Sequence, residues 1–277
     1  MVEFKKFENG FEYVEVSNSS ARVRIALQGA HVFHFARINE EPILWLSDTS
    51  DFETGKAIRG GVPICWPSFG MNNPELPQHG FARVCMWRVE NYREIDKKTT
   101  QIIFTLKDTQ ESRELWNYSF LLELKVTISE TLVMELITTN LDDKPFIITQ
   151  AFHTYFQISD ISNVAIGGLS DKPYLDALTD KHHVQKGDIT FSGEFDCVFQ
   201  EVESEILLID KNCTIRIKNE GSSSVVVWNP WIEKCKRMSG MRDDAYKEFV
   251  CIESANAFED FKILEPKEFH TLKATIC

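Results

Sequence analysis

Two stretches of the chain place side chains that can transfer protons where apolar side chains would be expected. His153 lies in "ITQAFHTYFQISD" and Glu253 in "FVCIESAN", and both stretches are otherwise apolar and strand-like. Alone, such a histidine is typically a core residue satisfied by backbone, and a strand glutamate typically faces solvent. Together they favour an acid–base pair, because an imidazole with a pKa of about 6.5 exchanges its proton near neutrality and burial makes a carboxylate more basic.

Three further segments carry polar side chains in stiffened loops. "AIRGGVPICWPSFG" holds Arg59 among two glycines and two prolines, "LPQHGFARV" holds Gln78, His79 and Arg83, and "VVWNPWIEKCKRM" holds Trp228. Aromatic rings, arginines and an amide near one opening are what a polar, ring-shaped ligand needs. Each segment alone is equally consistent with a structured loop, whereas the three together favour a ligand site.

The elements that must position these residues are mostly strands. Apolar residues alternate from Leu122 to Ile128 and from Leu132 to Leu136, around a turn at Ser129 to Thr131, and a further strand begins near Phe146. The same design surrounds a turn predicted at Asp210 to Asn212. Alternation with a period of two is typical of half-buried strands, so these segments predict antiparallel hairpins.

Helical signals are few. "MRDDAYKEF" predicts one or two helical turns, with Asp243 and Asp244 suited to the helix N-terminus. No internal repeat or Pro/Ser-rich linker divides the chain. We therefore predict an all-β fold, a large antiparallel β-sandwich with few short helices, as a single domain over residues 1–277.

Composition narrows the classes of partner. With 30 Lys plus Arg against 42 Asp plus Glu, the net charge is -12, which argues against nucleic acid and against an anionic membrane surface. The seven cysteines include no C-x-x-C pair, so we predict reduced thiols, no metal site and a cytoplasmic location. His182 and His183 are adjacent, point apart on an extended chain, and are interpreted as a solvated loop.

The blocks "IRGGVPICWPSFG", "HGFAR", "FHTYF", "FDCVF", "VVWNPW" and "FVCIESAN" run in order over nearly the whole chain. Together they resemble the glucose-6-phosphate 1-epimerase (hexose-6-phosphate mutarotase) family, within the wider aldose 1-epimerase group. The resemblance implies a galactose-mutarotase-like β-sandwich with its site in a groove across one sheet. It also implies an isomerase that needs no cofactor, and we expect a monomer.

The resemblance assigns roles to individual residues. It implies that His153 is the acid and Glu253 the base in opening and reclosing a sugar ring. It places Arg59, Arg83 and Gln78 at the substrate, together with Asp196 of "GEFDCVF". The family usually has arginine after that aspartate, where this chain has Cys197, so any contact made by the arginine is missing or supplied elsewhere.

Several alternatives stay open at this point. Asp196 is also consistent with a turn residue, His79 with a loop-stabilising role, and Trp228 with packing under its loop. The substrate implied is a hexose 6-phosphate, mainly glucose 6-phosphate, because arginines suit a phosphate. The other functions considered are an aldose 1-epimerase acting on neutral sugars and a carbohydrate-binding protein without catalysis.

Overall fold

Most of the regular structure is β, as the alternation predicts. The computed structural model describes residues 1–71, 73–203, 205–211 and 213–277. Its strands are β1 (Val2–Lys6), β2 (Glu12–Ser17), β3 (Ala21–Ala26), β4 (Val32–Arg37), β5 (Ile64–Cys65), β6 (Arg88–Glu94), β7 (Thr100–Lys107), β8 (Phe120–Ile128), β9 (Leu132–Asn140), β10 (Phe146–Ile148), β11 (Gln150–Phe152), β12 (Tyr155–Gln157), β13 (Val164–Gly167), β14 (Pro173–Asp176), β15 (Lys181–Val184), β16 (Phe195–Phe199), β17 (Ile206–Asp210), β18 (Cys213–Glu220), β19 (Ser224–Asn229), β20 (Phe249–Asn256), β21 (Lys262–Leu264) and β22 (Phe269–Ile276).

Helix is confined to short pieces. The elements are α1 (Gln110–Leu115), α2 (Trp231–Arg237) and 3₁₀ turns at Ala82–Val84, Ile161–Asn163, Ala245–Lys247 and Phe258–Asp260. The helix predicted in "MRDDAYKEF" is only the 3₁₀ turn, and the Asp244 side chain makes no cap hydrogen bond there. Within the described ranges, no helix is both long and apolar enough to cross a membrane.

Two eight-stranded sheets dominate the fold, and all the strand pairs in them are antiparallel. The outer sheet has the order β13-β17-β18-β22-β9-β8-β7-β6. The site sheet has the order β15-β14-β16-β19-β20-β11-β5, and β12 also pairs with β20. Smaller sheets are formed by β1 to β4 and by β10 with β21.

The two large sheets share one hydrophobic core. Alternate residues of β8 and β9 are buried on one face, which confirms the hairpin predicted around Ser129 to Thr131. Leu124 and Leu136 of the outer sheet belong to the same apolar cluster as Val227 and Ile252 of the site sheet. The fold is therefore the predicted all-β sandwich, since apolar faces of two sheets are buried against each other.

One predicted loop is a strand, and one predicted turn is only partly described. His182 and His183 are exposed, as expected, but they lie in strand β15, paired to β14, rather than in a loop. Period-two burial is absent from an exposed edge strand, so the sequence gives no strand signal there. The predicted turn at Asp210 to Asn212 includes Asn212, which lies outside the described residues.

Candidate active site

Strand register brings the proposed acid and base together. The pairing of β11 and β12 with β20 runs without a shift from Gln150 opposite Asn256 to Tyr155 opposite Cys251. His153, in the gap between β11 and β12, therefore stands opposite Glu253. Directly opposed residues of an antiparallel pair point to the same face with Cβ atoms about 4.5–5.5 Å apart. Pairing of the two side chains is thus a consequence of register.

The two side chains are buried and close. His153 Nε2 lies 3.4 Å from Glu253 Oε1, and the two residues are only 9% and 1% exposed. Within the described part of the chain, His153 Nδ1 and Glu253 Oε2 are buried without a hydrogen-bond partner. A buried polar atom without a hydrogen bond costs folding free energy, and such atoms are commonly retained where they contact a ligand.

One face of the site sheet forms the floor of a cavity. Asp196, Trp228, Cys251 and Tyr155 are successive register partners across β16, β19, β20 and β12, so their side chains share that face. Alternate residues of the same strands point between the sheets; Cys197 is one of them. The strands alone therefore decide which residues face the cavity.

Two loops close over this floor, and glycines allow them to do so. A Cβ on Gly61, which has a φ of 62°, would lie 2.4 Å from the carbonyl oxygen of Val32. A Cβ on Gly80, with a φ of 69°, would lie 2.0 Å from the carbonyl oxygen of Trp66. Only glycine fits both the positive φ and the close backbone approach, which fixes the paths of the loops that carry the arginines.

The resulting cavity has a volume of about 430 Å³. All eight side chains that the sequence singles out for the site line it. The cavity is also lined by residues not predicted for the site: Phe69, Tyr155, Lys234, Arg237, Met238 and Ser239. A cavity of this size with a buried acid–base pair at its floor matches the usual form of a small-molecule site.

The two arginines are held differently. Arg83 Nη2 donates to the backbone oxygen of Gln78 at 2.7 Å, so this arginine does stabilise its own loop. Arg59 has a buried Nε without a hydrogen-bond partner among the described residues. Both guanidinium groups line the cavity and retain donors for a ligand.

His79 both supports its loop and lines the cavity. Its Nδ1 accepts a hydrogen bond of 3.2 Å from the backbone N–H of Gly70. Burial, followed by the charges of Arg83 and Arg59, lowers the pKa of His79 to about 3, so the ring is neutral at pH 7. Its proton is then on Nε2, and the ring packs edge-on to His153 with centroids 5.5 Å apart.

A lysine replaces the arginine that the resemblance led us to look for. Lys234 Nζ lies 3.6 Å from Asp196 Oδ2 and 2.9 Å from Glu194 Oε1. Burial raises the pKa of Asp196, while Lys234 lowers it. Cys197 points into the core between the sheets, so the cation beside Asp196 comes from helix α2 instead.

Aromatic rings hold the imidazole in place. The Tyr155 ring stacks on His153 with centroids 4.9 Å apart and planes 12° apart, and Trp228 meets His153 edge-on at 5.8 Å. Trp228 also packs against Phe249, so it contributes both to the cavity wall and to the underlying core. Lys234 Nζ lies 5.8 Å from the Trp228 ring centroid.

The protonation of the pair differs from the expectation drawn from ordinary pKa values. Burial, then His79, Arg83 and Arg59, holds the pKa of His153 well below 6.5. Burial, then Asp196, raises the pKa of Glu253 well above 4.5. In the free protein at neutral pH, these directions favour a neutral imidazole and a protonated carboxyl. We expected His153 to carry the proton; the pair still holds one transferable proton, but on Glu253.

Two cavity residues that sequence reasoning missed differ in whether the local sequence could have indicated them. Tyr155 follows His153 by two positions in an extended segment, and that spacing could have placed both on one face. Lys234 lies in α2, which begins at Trp231, directly after Pro230. The backbone N–H of Trp231 donates a hydrogen bond to Asn229 Oδ1. Nothing local in the sequence indicates that this helix borders the cavity.

Comparison with known proteins settles the family. The family model described as "Aldose 1-epimerase" matches residues 12–277. This chain belongs to the aldose 1-epimerase family. It is accordingly an isomerase of the epimerase type, as the resemblance implied.

Individual members of the aldose 1-epimerase family agree with this. Relatives named "Putative glucose-6-phosphate 1-epimerase" include one from Salmonella typhimurium, 35% identical with 96% of this chain and 90% of the relative covered, and one from Cenchrus ciliaris, 37% identical with 96% and 84% covered. A crystal structure of a "putative mutarotase" from Salmonella typhimurium superposes with a TM-score of 0.93, at 33% identity, covering 100% of this chain and 92% of that one.

Proposed function

We propose that the protein interconverts the α and β anomers of a hexose 6-phosphate, with D-glucose 6-phosphate as the main substrate. The observation that carries the proposal is a cationic cavity, with a buried acid–base pair at its floor, in a protein of net charge -12. A sugar phosphate bears about -1.5 to -2 charges at pH 7, so the protein as a whole repels it. Local cations must supply the attraction.

The cavity has an excess of such cations. Four basic side chains line it, those of Arg59, Arg83, Lys234 and Arg237, against two carboxyl groups. One of these carboxyl groups, that of Glu253, is favoured in its uncharged form by burial. A neutral sugar gains no charge attraction from these cations, whereas guanidinium groups can donate two parallel hydrogen bonds to phosphate oxygens.

The arginines are the best candidates for the phosphate contact. Lys234 already faces two carboxylates, so much of its charge is compensated. Arg59 and Arg83 have no acidic partner among the described residues, and each rises from a loop stiffened by glycine. A phosphate bound by these arginines would lie in the same cavity as His153 and Glu253.

The reaction needs two proton transfers. One group takes the proton of the C1 hydroxyl while the other gives a proton to the ring oxygen, which opens the ring to the aldehyde. Rotation about C1–C2 and reversal of the two transfers produce the other anomer. His153 and Glu253, which share one proton, can serve in both directions, and each positioned group contributes typically ~10²–10⁴-fold.

Phosphate binding also favours the proton arrangement that the family resemblance assigns. Arg59 and Arg83 are among the causes that lower the pKa of His153. A phosphate dianion near them offsets their charge, so the imidazole becomes easier to protonate when the substrate is bound. His153 then serves as the acid and Glu253 as the base. The relatives' names support the same substrate.

The test is the ratio of kcat/KM for glucose 6-phosphate to that for glucose. We expect a ratio well above one, since only the phosphorylated sugar uses the cationic cavity. A ratio near one would favour an aldose 1-epimerase for neutral sugars. Binding of either sugar without accelerated anomer exchange would favour a carbohydrate-binding protein. A cytoplasmic location and a monomeric state stay predictions.

A further inference from the structure

A third potential metal ligand lies beside the acid–base pair. Cys251 and Glu253 are two residues apart in β20, so their side chains project to the same face, and His153 stands opposite Glu253. One donor atom from each of the three residues lies within 4.8 Å of the other two. All three residues are buried.

The donor set matches the chemistry of zinc. Zn²⁺ binds thiolate sulfur at about 2.3 Å and imidazole nitrogen or carboxylate oxygen at about 2.0–2.2 Å, usually with four ligands. The 3.4 Å between His153 Nε2 and Glu253 Oε1 suits two such ligands of one tetrahedral ion. Glu253 Oε2 has no hydrogen-bond partner among the residues that the structure describes, so the carboxylate can turn toward an ion without breaking another bond there.

Two anionic ligands offset the repulsion of a divalent cation by the basic side chains of the cavity, and the ion has access from solvent. A thiolate and a carboxylate together neutralise a divalent cation, which makes a buried site feasible. The protons lost from the Cys251 thiol and from the Glu253 carboxyl go to solvent as the sulfur–metal and oxygen–metal bonds form. His153 and Glu253 line the cavity, so an ion can reach them from solvent and keep its fourth position open toward the cavity.

We propose that His153, Cys251 and Glu253 form an inhibitory binding site for Zn²⁺. A bound ion occupies the imidazole lone pair and the carboxylate, the two groups needed for proton transfer, so the zinc-bound protein cannot catalyse anomer exchange. Sequence motifs do not reveal this site, because its ligands come from two separate strands rather than from a C-x-x-C or His-x-His spacing. The ion binding itself does not depend on which sugar is the substrate; the inhibition rests on the proposed function.

The experiment compares zinc binding by the full chain, its Cys251→Ala and Cys251→Val variants, and a matched control. Cys197→Ala is the control, because Cys197 is another buried cysteine of the site sheet that points to the opposite face. Equilibrium dialysis against buffered Zn²⁺ reports binding. Anomer exchange of glucose 6-phosphate, with zinc and then with added EDTA, reports inhibition.

We expect wild type and Cys197→Ala to bind one tight Zn²⁺ per chain, to lose activity with it and to recover with EDTA. Both Cys251 variants should bind at least 10- to 100-fold more weakly, the loss that changing an outer-shell partner alone can cause. Zinc should not inhibit either variant relative to that variant's own activity without zinc. The valine variant fills the space of the thiol, so it provides the test if the alanine variant does not fold.

Two results overturn the proposal. One is tight zinc binding that is unchanged in the Cys251 variants, which would place the ion elsewhere, for instance at the exposed Cys213. The other is the absence of a tight site in wild type. If zinc binds as expected but no sugar phosphate is anomerised even without zinc, the site stands and the proposed substrate fails.

Discussion

The floor and the rim of the cavity are built in different ways. Among the floor residues, Glu253 projects from β20 and His153 from the short gap between β11 and β12, and their separation is set by the register of these strands with β20. The rim residues Arg59 and Arg83 project from loops whose paths depend on glycines in close backbone contact. The floor lies against the core between the sheets, whereas the rim is partly open to solvent.

This difference suggests a division of labour. A one-residue slip in β20 would turn Glu253 into the core between the sheets, so the whole sheet enforces the geometry of proton transfer. Loops tolerate replacement and carry specificity on a rigid scaffold. We infer that the floor determines the reaction and the rim determines which sugar is used, and each prediction below tests one side of that division.

The largest effect is expected at the floor. His153→Asn and Glu253→Gln should each abolish most activity on every sugar, because each removes a proton-transfer group worth roughly 10²–10⁴-fold. The double variant should be little worse than either single one, since groups that act as a unit are not additive. Steady-state anomer exchange of glucose 6-phosphate and of glucose measures this.

Thermal unfolding of the same three proteins is the control. Each substitution is close in shape to the original and introduces no charge, so we expect folded proteins with similar Tm. Near-normal exchange by either single variant would refute the assignment of the floor.

A smaller effect is expected at the rim. Arg59→Ala and Arg83→Ala should each lower kcat/KM for glucose 6-phosphate by roughly 10- to 150-fold, because a hydrogen bond to a charged group contributes about 1.5–3 kcal/mol. The rate with unphosphorylated glucose should barely change. Arg88→Ala, at an exposed position in β6 away from the cavity, is a matched control.

Equal losses with both sugars would mean that the arginines only hold their loops. That outcome has a structural basis at Arg83, which bonds the carbonyl of Gln78. Arg59 Nε has no hydrogen-bond partner among the described residues, so Arg59 is the cleaner test if the two variants differ.

The sequence predicted the floor better than the surroundings. His153 and Glu253 can be recognised in the sequence because polar groups in apolar, strand-like segments are unusual. The alternation of apolar residues likewise predicted the hairpin formed by β8 and β9. The proton preference of the pair was not predictable, because it depends on burial and on Arg59 and Arg83, which other segments bring near. Local patterns do not contain such long-range effects.

The helices show the same limit. The capping box that begins α1, between Thr109 and Ser112, has serine where glutamate or glutamine is usual, so the sequence lacks the usual signal for this helix. Helix α2 follows a proline and places Lys234 in the cavity through tertiary packing. Sequence reasoning therefore found the groups that react and missed a cation that borders them.

Lys234 lies between floor and rim, and its effect should be modest. Lys234→Met removes the cation beside Asp196, so the pKa of Asp196 rises further and its carboxylate loses its ion pair. A partly exposed pair contributes about 0.2–1 kcal/mol, so KM should rise by up to about 5-fold, more at acidic pH. Lys236→Met, on the same helix but outside the cavity, should have the same KM as wild type. Indistinguishable KM values for the two variants would exclude this role.

The pH profile should show the smallest effect. Because the pKa of His153 is lowered, the pair gains a second proton only well below pH 6.5, and because that of Glu253 is raised, it loses its single proton well above pH 4.5. With glucose, which has no phosphate group to titrate, the profile of kcat/KM should therefore be bell-shaped and should not fall as pH drops through 6.5. This reverses the order of the two residues expected from ordinary pKa values.

The Arg59→Gln variant tests whether a charge at the rim changes the pKa of His153. Removing its positive charge should raise the pKa of His153, so the acid limb of kcat/KM for glucose should move to higher pH. An acid limb that stays in place would mean that rim charges do not reach the floor. EDTA should not lower the activity of wild type at any pH.

The most direct test is magnetisation transfer between the two anomeric proton signals of glucose 6-phosphate, measured without protein, with wild type and with His153→Asn. We predict that wild type accelerates exchange between the signals and that the folded variant leaves it close to the uncatalysed rate. No acceleration by wild type, or equal acceleration by His153→Asn, would contradict the account.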